Sequence, residues 1–170
     1  MLKFLFNFGI LFFSAFALAK DPFYGHLFST CDISKDYHME YFSEFVPNNE
    51  EFEIELYKKS SKKGCKGQDL FAVGRIWQYE IDGNELITTL KYVNVVLLDG
   101  KGVEYFNLMK FCDNSNWKVY ERISCTGKDI FGEESDVGHR TIHQFKLKGS
   151  KLEVKNQDGD ITILNKIKAQ

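Results

Sequence analysis

The sequence predicts an all-β chain, an antiparallel up-and-down barrel of about eight strands with at most one short helix. Three observations lead there. Runs of alternating apolar and polar residues recur along the chain, which is the period of a half-buried strand. Turn signals separate these runs every ten residues or so and join neighbours by short loops. No long stretch carries the 3.6-residue period of an amphipathic helix. A β-sandwich meets the same observations. The barrel is preferred because closure removes the exposed sheet edges that an exported β protein must otherwise guard.

The chain opens Met1-Leu2-Lys3, and from Phe4 to Phe16 only Asn7 and Ser14 are polar; it then reads Ala17-Leu18-Ala19. A basic start, an apolar stretch and a small-residue cleavage site form the layout of a secretory signal peptide. Cleavage is expected after Ala19, leaving residues 20–170 as a single secreted or periplasmic domain. The apolar run is slightly short for a bilayer span and no cluster of positive charge follows it, so no stable membrane anchor is expected. The first cysteine, Cys31, stands too far from that site for a lipid anchor.

Residues 37–45 place Tyr37, Met39, Tyr41 and Phe45 on one face and His38, Glu40 and Glu44 on the other. Pro47-Asn48-Asn49 then turns the chain. Residues 51–58 give the cleanest alternation. Phe52, Ile54 and Leu56 are expected to face the core, with Glu51, Glu53 and Glu55 on a wet face. Residues 70–81 put Phe71, Val73, Trp77, Tyr79 and Ile81 on one face, with Arg75 in the same register. Asp82-Gly83-Asn84 leads to a further β-rich run, 86–97, and Asp99-Gly100-Lys101-Gly102 makes the next turn. Residues 103–111 fit a strand or a short helix equally well. Residues 117–125 alternate through Trp117, Val119, Ile123 and Cys125, and 126–138 read as a loop. Strands 140–147, 151–155 and 160–167 follow, joined at Gly149-Ser150 and by the hairpin signal Asp158-Gly159.

Cys31, Cys65, Cys112 and Cys125 allow three pairings, and an exported chain should oxidise them. Cys31 precedes the 37–45 strand and Cys65 follows the 51–58 strand, so a hairpin brings them together. Cys112 is left with Cys125. In a plain hairpin about residues 114–116 these two would stand over ~20 Å apart, far beyond disulfide reach. That pairing therefore requires an irregular 103–116, such as the short helix. The alternative, Cys31–Cys112 with Cys65–Cys125, stays open.

Near its start the chain reads Gly25-His26-Leu27-Phe28-Ser29-Thr30-Cys31. With its length and meander order, this resembles the lipocalin-like (calycin) β-barrels, whose Gly-x-Trp signature marks the entry to the first strand. Leu27 occupies the tryptophan position. The chain is also similar to small exported bacterial proteins with two cysteine pairs. The resemblance implies a barrel that holds an apolar or amphipathic ligand.

Composition and motifs narrow the function. A formal charge of −2 with 44% hydrophobic residues excludes a disordered polar chain and a long basic nucleic-acid tail. No Gly-x-Ser-x-Gly elbow is present, and no Cys-x-x-Cys pair. His139 and His143 share the i, i+4 spacing of a helical zinc site, but on a strand they stand about 13 Å apart. No enzyme activity, metal, cofactor or nucleic-acid partner is expected. Lys58, Lys59, Lys62, Lys63 and Lys66 crowd one turn, either as a solvated loop or as a contact for an anionic surface. Arg75 on an apolar face must be paired, or bind an anion, or point outward from a bulge. The expected function is a monomeric, non-enzymatic exported binding protein holding a small ligand, with a pocket wall drawn from Phe71, Arg75, Trp77, Tyr79, Tyr92 and Tyr105. The alternative is an envelope-associated inhibitor or protein-interaction module acting through loops 58–67 and 126–138.

Overall fold

The computed structural model describes residues 21–167 apart from 24, 35–36, 47, 61–63, 131–132 and 135–136. The expected signal segment and its cleavage site, Pro47, Lys62 and Lys63 lie outside the described residues. In chain order the elements are β1 (Leu27–Ile33), β2 (Tyr37–Val46), β3 (Glu50–Lys59), β4 (Asp69–Asp82), β5 (Glu85–Leu97), α1 (Val103–Met109), β6 (Arg122–Ser124), β7 (Asp129–Ile130), β8 (Glu133–Glu134), β9 (Arg140–Lys148), β10 (Lys151–Lys155) and β11 (Ile161–Ile167). Eight of the strands close into an antiparallel barrel in the order β4-β3-β2-β1-β11-β10-β9-β5, with β5 returning to β4. Among the described residues no helix is long and apolar enough to cross a membrane.

β5 serves three neighbours. Residues 85–89 pair with β9, residues 94–96 pair with β6, and the full strand pairs with β4. A register shift between Ile76 and Trp77 leaves Lys91 unpaired opposite them. This bulge lets Leu86, Thr88 and Leu90 share the inward face with Val93, Val95 and Leu97, all of them buried.

Two core clusters pack within the fold. At one end Phe28, Phe45, Tyr79, Leu86, Leu152 and Leu164 converge on Phe23. Phe23 stacks on Phe45 at 4.7 Å and meets Phe145 edge-on at 4.7 Å. The Tyr79 hydroxyl donates to Asp21. Residues 21–25 therefore close this end. The second cluster lies under α1, where Val73, Leu90, Val93, Leu97, Phe106 and Trp117 pack together.

The two readings of 103–111 resolve to the helix. α1 stops at Lys110, whose φ of 50° is left-handed, and a 3-10 turn over Phe111–Asp113 carries Cys112 at φ 55°. That irregularity brings Cys112 within a Cα separation of 5.0 Å of Cys125, and the disulfide forms. Cys31 pairs with Cys65 at 6.0 Å, so the hairpin-end pairing is the observed one.

Three expectations need correction. Residues 117–125 are not one strand: only β6 is, because Tyr120 takes φ 64°, Val119 makes a single parallel bridge to Leu97, and the Trp117 N–H donates to the Asn107 side chain at 2.5 Å. The 126–138 loop carries the β7–β8 ladder. The third correction is the largest, for β3 is inverted. Its glutamates face the barrel interior, while Phe52 and Ile54 are 37% and 46% exposed on the outer wall. The register explains this. Glu53 stands opposite Ser43 of β2 and Arg75 of β4, and Glu51 stands opposite Phe45 and Trp77, all on the inward face. An inward Arg75 requires carboxylates on the neighbouring strand, since an unpaired buried charge costs several kcal/mol. The apolar side of β3 then finds company outside, where Phe52 lies opposite Ile76 and Ile54 opposite Phe42.

Candidate functional site in the barrel interior

A cavity of about 650 Å³ occupies the barrel, and every one of the eight barrel strands contributes to its wall. At its rim Asp32 is exposed and Ile161 is 56% exposed, so it reaches solvent at the end opposite Phe23. Its floor is apolar, made by Phe45, Leu86, Leu152 and Leu164. One wall is acidic. Glu51, Glu53 and Glu55 project from alternate positions of β3, beside Tyr41 of β2 and Trp77 of β4. Next along the wall, β5 and β9 contribute Thr88, Thr141 and His143.

The acidic wall is built around one guanidinium. Arg75 donates to Glu53 at 2.7 Å and contacts Glu55 at 2.8 Å, with all three side chains 12–15% exposed. The other Glu53 oxygen accepts from the Tyr41 hydroxyl at 3.2 Å and from Trp77 Nε1 at 3.1 Å. Glu55 also accepts from the Tyr57 hydroxyl at 3.2 Å. Burial works against the charge on Arg75, but Glu53 and Glu55 outweigh it and hold its pKa above the ordinary value. Burial and the nearby Glu53 push the Tyr41 phenol up.

Glu51 differs from its two neighbours. It is 6% exposed, its carboxylate accepts from Ser43 Oγ at 2.5 Å, and among the described residues no cation pairs with it. Burial, and then the charge of Glu53, push its carboxyl up to about 8 despite the Ser43 hydrogen bond. On β5 and β9, Thr88 and Thr141 share a 2.6 Å hydrogen bond, and His143 Nε2 lies 3.0 Å from Thr141 Oγ1. His143 Nδ1 is buried without a partner, and burial lowers the imidazole pKa. Among the described residues no group of three or more His, Cys, Asp or Glu is placed to hold a metal.

The six residues named from sequence are dispersed. Trp77 lines the cavity, and Arg75 grips two of the glutamates that line it. Tyr79 is buried at the closed end, and Phe71 packs between Tyr57 and Phe106 in the cluster under α1. Tyr92 and Tyr105 stand outside the cavity, 39% and 55% exposed, Tyr92 because the Lys91 bulge turns it to the outer wall and Tyr105 because it sits on the solvent side of α1. The polar half of the site was missed. The signal for it was Arg75 itself, since an arginine in an apolar register needs acids, and the adjacent strand of the meander carries three in alternation. In the lysine-rich turn, Lys58 is 7% exposed and bridges Asp69 at 2.7 Å and Glu40 at 3.1 Å, so it belongs to neither surface reading. Lys59 and Lys66 are exposed. His139 is exposed and stands outside the cavity wall that His143 joins.

No protein-family model matches this chain, and a search of curated proteins finds none similar to it.

Proposed function

We propose that this is an exported, non-enzymatic binding protein that holds a small amphipathic ligand in the barrel interior, as lipocalin-like barrels do. The cavity carries the reading. Its volume of about 650 Å³ falls within the ~300–1,000 Å³ range of small-molecule sites, and it joins an apolar floor to a polar wall. Two disulfides are compatible with an oxidising compartment. A purely loop-borne interaction module has no need of such a space and would keep its interior filled.

Native mass spectrometry of protein recovered from its host tests this. The expected result is a small-molecule adduct on the oxidised protein that Val154→Trp, which fills the cavity, removes. Bare protein in every preparation, with Trp77 emission indifferent to short-chain amphiphiles, overturns the proposal.

A further inference from the structure

The polarity of the cavity goes further than its volume and deepens the preceding reading, on which it rests. We propose that the barrel interior selects ligands bearing a protonated amine, with Glu51 as the counter-ion and the hydrocarbon body of the ligand on the Phe45–Leu86–Leu152–Leu164 floor.

Four charged side chains define the acidic wall, and they do not balance. Arg75 is gripped by Glu53 and Glu55, so its charge is already shared by two carboxylates. Glu51 adds a third carboxylate, and among the described residues no cation meets it and no lysine lines the cavity. An anionic ligand would meet these carboxylates around Arg75 and be repelled. A neutral apolar ligand would leave Glu51 buried against hydrocarbon, which favours neither the carboxylate nor the ligand. An ammonium group supplies a positive charge and donates hydrogen bonds to a carboxylate that, among the described residues, accepts only from Ser43.

His143 also lines the cavity, and among the described residues its buried Nδ1 has no partner, so it offers a second polar contact to a ligand. Trp77 and Tyr41 add aromatic surface beside the carboxylates, to which a cation is attracted. The raised Glu51 carboxyl adds a signature. Burial raises this carboxyl, and an arriving ammonium favours its ionised form, so amine binding should shift its proton toward solvent.

Three probes with one hydrocarbon body separate the possibilities: octylamine, 1-octanol and octanoate, titrated calorimetrically into the oxidised protein at pH 7. Octylamine should bind about ten-fold or more tighter than octanol, with octanoate weakest. Glu51→Gln should bring the amine within about three-fold of the alcohol, both measured on the variant. Amine binding by the wild type should also release a proton, read as a heat that varies with buffer ionisation enthalpy, and the variant should not. The ranking of the three probes on the wild type keeps the amine assignment testable if Glu51→Gln folds poorly. Octanol or octanoate binding as tightly as octylamine overturns the amine assignment and leaves the barrel-interior reading standing. An amine preference that survives Glu51→Gln overturns the role of Glu51. Failure of all three probes to bind overturns both readings.

Discussion

At the residue scale the acidic wall dominates, and two of its members act in opposite senses. Arg75 holds Glu53 and Glu55, so Arg75→Met should leave two buried carboxylates without their cation. The expected loss is ~3–5 kcal/mol at pH 7, measured by urea unfolding, and most of it should return when Glu53→Gln and Glu55→Gln are added. A variant as stable as the wild type would contradict the pairing. Glu51 is held in a place that disfavours its charge. Its carboxyl rises from an ordinary 4.5 to about 8 in the folded state, so the folded protein binds this proton more tightly than the unfolded chain. Its contribution is complete below about pH 4.5 and is lost as the pH climbs through 8, up to roughly 5 kcal/mol. Stability should therefore fall between pH 5 and pH 8 in the wild type and fall less in Glu51→Gln. Unfolding midpoints at the two pH values, compared between the two proteins, check this; equal slopes would remove Glu51 as the source.

At the element scale β3 shows what sequence can and cannot reveal. The positions and alternation of β2, β3, β4, β5, β9, β10 and β11 are legible, because period two needs only local residue order. Which side of β3 faces inward is not local. Reading the apolar side as the core side assumes a dry interior, and here the interior is a cavity whose lining glutamates pair with Arg75. The needed information sits on β4, more than twenty residues away at Arg75, and reaches β3 only through the pairing register. The 117–125 segment fails for a related reason, since its alternation is real but its backbone is bent by Tyr120 and tied by the Cys112–Cys125 bridge. Given the Cys112–Cys125 pairing, disulfide geometry called for an irregular segment over 103–116. That bridge closes a short loop of sequence separation 13, and replacing both cysteines by alanine should cost about 3 kcal/mol. The local readout is Trp117, buried against Phe106 of α1, whose near-ultraviolet circular dichroism should weaken while the barrel signal remains.

At the scale of the whole molecule the barrel is sealed at one end and accessible at the other. Phe23 is fully buried and is the centre of the seal. Phe23→Ala should cost ~3–5 kcal/mol and lower Tm by roughly 10 °C, because the strand ends around it are fixed and cannot collapse into the space. Hydrogen exchange should report the change as lost amide protection at Phe45 and Tyr79, leaving β6 and α1 unaffected. Uniform loss of protection would show instead that Phe23 supports the entire fold.

The pairing of β1 with β11 sets the tempo at which this protein acquires its shape. Leu27 bonds opposite Ile167, so the first strand of the barrel cannot complete its ladder until the last one has been delivered. The hairpins β2–β3, β3–β4, β4–β5 and β9–β10–β11 each join neighbours in sequence and can assemble early. The β1–β11 and β5–β9 seams bring together distant parts of the chain and must pay the loop entropy first. The cavity exists only after both seams have formed, because it takes wall residues from either side of each. Folding on the millisecond-to-second scale of non-local β topologies follows, with closure of the cavity as its final event.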